Sequence, residues 1–419
     1  MKNILTKLKF RSAIASLLTL VVLSVSAAEP APDWQQELEQ SDFSGTVFIA
    51  RSDTVMFQQS YGLADRESQR AFAEDTVFDI GSVTKQFTAT AIMLLVEQGK
   101  LSLSATIDNY FANVPADKQG ITIHHLLTHS SGLRTNPPRF RLYDIVETDV
   151  YTSQMLKQKL VAQPGETFHY SNIGYSLLAQ LIEISSGQNW EAYIQQNILL
   201  PAGLTETGYH LLDVPLERLA VNYGADPNWL QRLFRRQAKS RSVGDSLQHL
   251  REEPGQRWFE GSGGFVSTTQ DMYAWFLAMH SRQILTETSW QKMFEKHVAE
   301  NAAQTVYYGY GWAIDNQNGL QRINHSGSNG YSYTTFDYYP EIDLFIFTAS
   351  NDLDNYPRSL MREMKKSMIL SEYSKNWYAG SWQVTNAEFP GTVLIRVTDD
   401  VAYTPWDGAF LKLEKMPPR

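Results

Sequence analysis

The stretch Phe78-Asp79-Ile80-Gly81-Ser82-Val83-Thr84-Lys85, with the apolar run behind it, constrains this chain more than any other. Residues 82–98 read as a helix. Val83, Phe87, Ala91, Leu94 and Leu95 recur at helical spacing, and Ala89 and Met93 widen the apolar face. Gly99 supplies a C-terminal stop, and Gly81 permits a tight turn into the first residues. A helix so broadly apolar is largely buried, and the rest of the chain has to be built around it. With 419 residues, 43% hydrophobic and 19% charged, the chain is long enough for one large or two medium domains with a sizeable core.

Ser82 falls in the first turn of that helix and Lys85 three residues on, so both side chains project to one side. A serine hydroxyl becomes a nucleophile when a neighbour takes its proton, and a lysine kept proton-hungry by its surroundings can do that. The helix N-terminus adds N–H groups and partial positive charge where an oxyanion would form. Ser-x-x-Lys alone is equally the pattern of a helix cap followed by a surface lysine, and it gains weight only from the rest of the sequence.

The first 27 residues read as a bacterial secretory signal peptide. Lys2, Lys7, Lys9 and Arg11 form a basic region, residues 13–25 an apolar run short for a membrane span, and Val25-Ser26-Ala27 a small-x-small cleavage site. An uncleaved N-terminal anchor is the alternative. Cleavage takes away four positive charges and no negative ones, moving the formal net charge from −9 to −13. Such an acidic chain does not suit nucleic acid or an anionic membrane as a partner. The absence of cysteine excludes disulfides, a cysteine nucleophile and thiolate metal sites. Together these readings predict a periplasmic or secreted protein with no stable membrane span after cleavage.

A short helix is expected at 33–40, then a hairpin of strands at 45–50 and 55–61 around Ser52-Asp53. From Thr122, a capping residue, the chain turns helical and loop-rich. His125 and His129 stand four apart, but no carboxylate ligand accompanies them, and packed or capping histidines fit better than zinc. Pro164-Gly165-Glu166 marks a turn, with no catalytic role assigned to Glu166. Tyr170 precedes a helix at 173–186 closed by Gly187. Arg232, Arg235, Arg236, Lys239 and Arg241 lie beside Trp229, Leu230, Leu233 and Phe234, a helix with one solvated and one core face in preference to a membrane-touching patch. A helix is expected at 269–280, a strand over 308–314, three antiparallel strands at 322–328, 333–338 and 344–349, and a helix at 357–370. Residues 373–419 form a β-rich extension, with strand-like runs at 382–384, 392–397 and 409–413.

Three short motifs then line up: Ser82-Val83-Thr84-Lys85, Tyr170-Ser171-Asn172 and His325-Ser326-Gly327, separated by 88 and 155 residues. This set resembles the serine β-lactamase and penicillin-binding-protein superfamily, in its class C-like branch with D-alanyl-D-alanine carboxypeptidases and esterases. The runs Leu126-Leu127-Thr128-His129-Ser130-Ser131-Gly132-Leu133, Gly263-Gly264-Phe265-Val266-Ser267-Thr268 and Tyr308-Gly309-Tyr310-Gly311-Trp312 are similar to it as well. The likeness spans about residues 35–372. It implies an α+β fold: an antiparallel sheet made from both ends of the chain, flanked by helices, with a mostly helical region between. It implies no cofactor and no metal, and a small-molecule or peptide substrate.

By that resemblance Ser82 would be acylated and Lys85 would help take its proton. Tyr170, its pKa lowered by Lys85, would relay the proton, and Asn172 would hold a substrate amide or the lysine. The N–H groups of Ser82 and Ser328 would form the oxyanion hole. His325 and Ser326 would line the substrate site, and Gly327 would let the acyl group pass close to its strand. The family pattern opens its third motif with lysine, although some family peptidases and esterases carry histidine there. A neutral His325 gives less charge to hold a substrate carboxylate, and Arg322 is a candidate source of it. If His325 must be protonated, activity should fall as pH rises through about 6.5. The implied activity is hydrolysis of an ester, a D-Ala-D-Ala-type peptide or, weakly, a β-lactam. The alternative is a penicillin-binding or sensor-like protein with little turnover.

Overall fold

The computed structural model describes residues 34–138, 140–141, 144–224, 240–253, 255–377, 382–384 and 413–415. The targeting segment, the basic stretch apart from Arg241, the expected strand at 392–397 and nearly all of that at 409–413 lie outside the described residues.

An eight-stranded antiparallel sheet carries the fold. Its strands are β1 (Gly45–Arg51), β2 (Thr54–Tyr61), β3 (Val298–Ala299), β4 (Val306–Tyr308), β5 (Ala313–Gln317), β6 (Leu320–Gly327), β7 (Tyr333–Tyr339) and β8 (Leu344–Ser350). They lie in the order β2-β1-β8-β7-β6-β5-β4-β3. The N-terminal hairpin thus joins the C-terminal strands through β1 and β8, in register from Gly45 opposite Ser350 to Arg51 opposite Leu344. Helices cover both faces, so β8 is buried at every position and reads as a continuous apolar run. Alternation sorts its neighbour β1 between two cores. Val47 and Ile49 pack with Met361 and Met364 of the C-terminal helix, and Phe48 and Ala50 pack with Phe78, Phe87 and the helix-rich side.

Helices α1 (Trp34–Glu39), α2 (Thr84–Glu97), α3 (Ile123–Leu127), α4 (Asn172–Ser186), α5 (Thr269–His280) and α6 (Arg358–Trp377) match the expected positions closely. Capping explains the accuracy. Thr122 accepts the His125 N–H while His125 Nδ1 accepts that of Thr122, Thr268 accepts from Asp271, and Gly187 ends α4 in the left-handed conformation. Helix α6 runs on past 370, across the boundary expected at 372/373, and Trp382–Val384 pairs with Leu413–Lys415. No described helix is long and apolar enough to cross a membrane.

One expectation fails. Residues 308–314 are not one continuous strand: β4 ends at Tyr308, residues 309–312 turn a corner, and β5 begins at Ala313. The Tyr-Gly-Tyr-Gly-Trp alternation imitates strand periodicity, yet Gly311 is left-handed at φ +80°, and a Cβ there would lie 2.9 Å from the Lys85 carbonyl oxygen. The corner folds onto α2 and buries Tyr310 and Trp312 against it.

Candidate active site

Ser82 is placed by a crossing of two backbones. Phe78–Asp79 pairs with Val266–Ser267, and the chain then makes one 3-10 turn, Gly81–Val83, before α2. Gly81 is left-handed at φ +50°, and a Cβ on it would meet the Ser328 nitrogen at 2.3 Å. A Cβ on Gly327 would meet the Ile80 carbonyl oxygen at 1.9 Å and the Ser82 nitrogen at 2.9 Å. The two glycines therefore let the nucleophile turn and the end of β6 touch, bringing the N–H groups of Ser82 and Ser328 together. This corrects the role expected of Gly327: the space above it is filled by the protein's own backbone, not by an acyl group. Gly327→Ala should lower stability by about 2 kcal/mol through forced backbone displacement. It should also cut ester kcat/KM about 10²-fold by separating the two donors. Thermal melts and ester kinetics read both, and a wild-type-like variant would contradict the crossing.

Lys85 is wholly buried, and burial alone drives its pKa well below the ordinary lysine value. Its Nζ has three polar contacts: Asn172 Oδ1 at 2.8 Å, the Ser262 carbonyl oxygen at 2.5 Å and Ser82 Oγ at 3.1 Å. Two of these are pure acceptors. In its neutral form the amine has two N–H donors and one lone pair: Asn172 and Ser262 would take the donors, and the lone pair would face the serine hydroxyl. Asn172 is held in turn, its Nδ2 donating to Asn136 Oδ1 at 2.7 Å. The arrangement suits proton removal from Ser82.

Tyr170 sits on the loop ahead of α4, with Ser171 as N-cap, and its hydroxyl hydrogen-bonds Ser82. Lys85 Nζ lies 4.9 Å from its ring centroid. The expected lowering of the Tyr170 pKa is reversed: burial pushes the phenol up, and its hydrogen bond to Ser82 only partly offsets this. A neutral lysine supplies no charge to stabilise a phenolate. The phenol therefore keeps its proton and can act as a donor. His129 holds it in place, with ring centroids 4.2 Å apart and His129 Nδ1 accepting the Ser171 N–H at 3.0 Å.

His325 is buried in β6 at 6% exposure. Its Nδ1 reaches the Ser326 carbonyl at 2.7 Å, which fixes that nitrogen as the donor, and its Nε2 accepts from the Tyr308 hydroxyl at 2.9 Å. Burial is the main cause that lowers its pKa to about 3. The expected protonation near 6.5 therefore does not occur. Between pH 5 and 9 the kcat/KM profiles of wild type and His325→Gln should have the same shape, and a limb near 6.5 present only in wild type would contradict this. Arg322 does not supply the missing charge either. Strand alternation puts it on the opposite face from His325, where it pairs with Asp315 and with Asp337 at 2.9 Å. Ser326 is exposed on β6, and Ser328 Oγ donates to the Ser332 carbonyl at 2.6 Å, which leaves its backbone N–H as the group facing Gly81.

Ser82, Asn172 and Ser328 line one cleft together with Trp258 and Asp79. Sequence reasoning did not assign the Ser262 carbonyl, Tyr308 or His129, although Tyr308 and His129 lie in stretches it singled out and Ser262 directly precedes one. The signal available was a glycine-rich or aromatic run beside a motif, and it did not say which atom turns inward.

Residues 34–365 match the family model described as Beta-lactamase. Penicillin-binding protein 4* of Bacillus subtilis is 28% identical over 385 residues, covering 89% of this chain and 80% of that protein. Esterase EstB of Burkholderia gladioli is 30% identical over 209 residues, 45% of this chain and 53% of the esterase. The crystal structure of a penicillin-binding protein from Bacillus halodurans superposes with a TM-score of 0.65 at 26% identity, covering 80% of this chain and 99% of that one. With four-fifths of its length inside the matched region, and the same sheet joining its two ends, the chain belongs to the beta-lactamase family of serine hydrolases.

Proposed function

We propose that this chain is an exported serine hydrolase that cleaves an ester or amide through an acyl-Ser82 intermediate and prefers substrates without a carboxylate beside the scissile bond. The observation that carries the reading is the buried Lys85 Nζ 3.1 Å from Ser82 Oγ, where burial favours the uncharged amine that can take the serine proton. As Oγ attacks the carbonyl carbon, Lys85 takes its proton, and the N–H groups of Ser82 and Ser328 receive the developing oxyanion. Tyr170 gives its proton to the leaving group and regains one from Lys85, so the serine proton ends on the product. Water repeats the sequence on the acyl-enzyme.

The substrate preference rests on charge. His325 is neutral, Arg322 is committed to two aspartates, and the described residues lining the cleft include Asp79 but neither lysine nor arginine. A substrate carboxylate would meet no fixed cation there. A relative named esterase and others named penicillin-binding protein are compatible with ester and peptide chemistry on this fold. We expect kcat/KM to fall in the order p-nitrophenyl butyrate, D-Ala-D-Ala peptide, nitrocefin. Nitrocefin as the best substrate would overturn the preference, and stoichiometric acylation with no product release would replace turnover by ligand trapping. Export rests on the basic and apolar N-terminus, and N-terminal sequencing of protein from a periplasmic fraction should find the mature chain starting near residue 28.

A further inference from the structure

Asp79 is a buried carboxylate beside the nucleophile that the mechanism above leaves unused. Its Oδ1 accepts the Gly81 N–H at 2.6 Å, one residue before Ser82. Its Oδ2 accepts from Asn329 Nδ2 at 3.3 Å, one residue after Ser328. Ser246 makes a further hydrogen bond to the carboxylate and is itself tied to Asn222 Nδ2 at 2.9 Å. Asn329 is rigid in turn, because its Oδ1 accepts the N–H groups of Tyr331 and Ser332 at 2.9 Å each. The Asp79 backbone is fixed too, its carbonyl accepting from Thr334 Oγ1 at 3.1 Å. One carboxylate therefore joins the two chain segments that carry the proposed oxyanion donors, Ser82 and Ser328, 246 residues apart in sequence.

We propose that Asp79 is a positioning residue that clamps the nucleophile turn to the end of β6 and so sets the spacing of the Ser82 and Ser328 N–H groups. A backbone carbonyl could not do this, because the clamp needs two acceptor oxygens facing opposite ways, and a carboxylate provides them. An asparagine in its place would turn an NH2 group toward the donor of Gly81 or of Asn329 and so break one arm of the clamp, Asn329 Nδ2 then keeping only Ser246 Oγ at 3.3 Å. Burial raises the Asp79 pKa to about 6, and its hydrogen bonds oppose the rise, so at pH 8 the group is ionised and accepts from all its partners. His249, which shares the cleft, is neutral at that pH, held to about 4 chiefly by burial. The inference rests on the acyl-Ser82 reading.

The test compares wild type, Asp79→Asn and Asn329→Ala at pH 8, using p-nitrophenyl butyrate as substrate and phenylboronic acid, which forms a tetrahedral adduct on the serine, as inhibitor. Asp79→Asn should lower kcat about 10²-fold with KM within about threefold, the loss expected when aligned groups are displaced by a fraction of an ångström. Boronate affinity should fall in parallel with kcat. Asn329→Ala, which cuts the clamp from the other side, should shift both in the same direction even if Asp79→Asn fails to fold. Either variant folded with kcat and boronate affinity within twofold of wild type overturns the clamp, as does a rise in KM alone. Turnover that survives Ser82→Ala would overturn the acyl-serine reading instead, so the two failures are separable.

Discussion

Ser82→Ala should abolish ester hydrolysis, with kcat/KM falling on the order of 10⁴-fold or more, and should prevent labelling by a serine-directed acylating probe. Among the described residues no other hydroxyl is hydrogen-bonded to Lys85 Nζ. Tyr170 is a protonated phenol, the chain has no cysteine, and His325 is locked by the Ser326 carbonyl and Tyr308. The remaining machinery can still bind substrate and stabilise an oxyanion, which sets a low floor rather than zero activity. The folded state should scarcely change, because Ser82 is only partly buried and the substitution leaves the Gly81–Val83 turn intact. Thermal melts of the two proteins should coincide while probe fluorescence distinguishes them. Equal labelling of wild type and variant would end the acyl-serine account.

Lys85→Met should lower kcat/KM on the order of 10³-fold, because the proton of Ser82 loses its acceptor. Methionine fills similar volume, so cavity formation does not confuse the result. Lys85→Arg should be as inactive, since a guanidinium keeps its proton and cannot receive another. Combining Ser82→Ala with Lys85→Met should cost no more than Ser82→Ala alone, as expected of groups acting as one unit. The same substitution reports the charge state directly. In the unfolded chain Lys85 titrates near 10.4, and in the folded protein burial holds it well below that. Between those two values the unfolded state binds one proton more, so this lysine makes stability rise with pH, in full above the unfolded value and lost progressively as pH falls. From pH 7 to 9.5 the stability of wild type relative to Lys85→Met should climb by up to about 1.4 kcal/mol per pH unit in urea titrations. Parallel stability curves would mean that the folded lysine is charged.

Local order in this fold was legible where side chains cap or punctuate. Helix α5 runs over the expected residues because Thr268 caps it, and α4 stops at Gly187 because the backbone turns left-handed there. Strand β8 was legible from its apolar run and β6 and β7 from their turn signals, which also made the antiparallel sheet legible. The corner at 309–312 was not, since tyrosine–glycine alternation has the same period as a strand and only the approach of α2 distinguishes them. Site membership followed from the motifs, but protonation did not. Whether Lys85, Tyr170 and His325 hold or shed a proton depends on burial and on partners that include, for Lys85, Asn172 and Ser262, 87 and 177 residues away along the chain. The reversal at Tyr170 follows from that: a lysine stripped of charge by burial no longer pulls a phenol toward ionisation, so the phenol changes from proton acceptor to proton donor.

The most direct measurement is rapid acid quench of wild type turning over p-nitrophenyl butyrate at pH 8, followed by peptide mass spectrometry. The account predicts a butyryl group on the peptide containing Ser82, formed within the first turnover and absent from Lys85→Met on that timescale. Steady turnover with that peptide unmodified at every quench time, or the acyl group on any other residue, would contradict it.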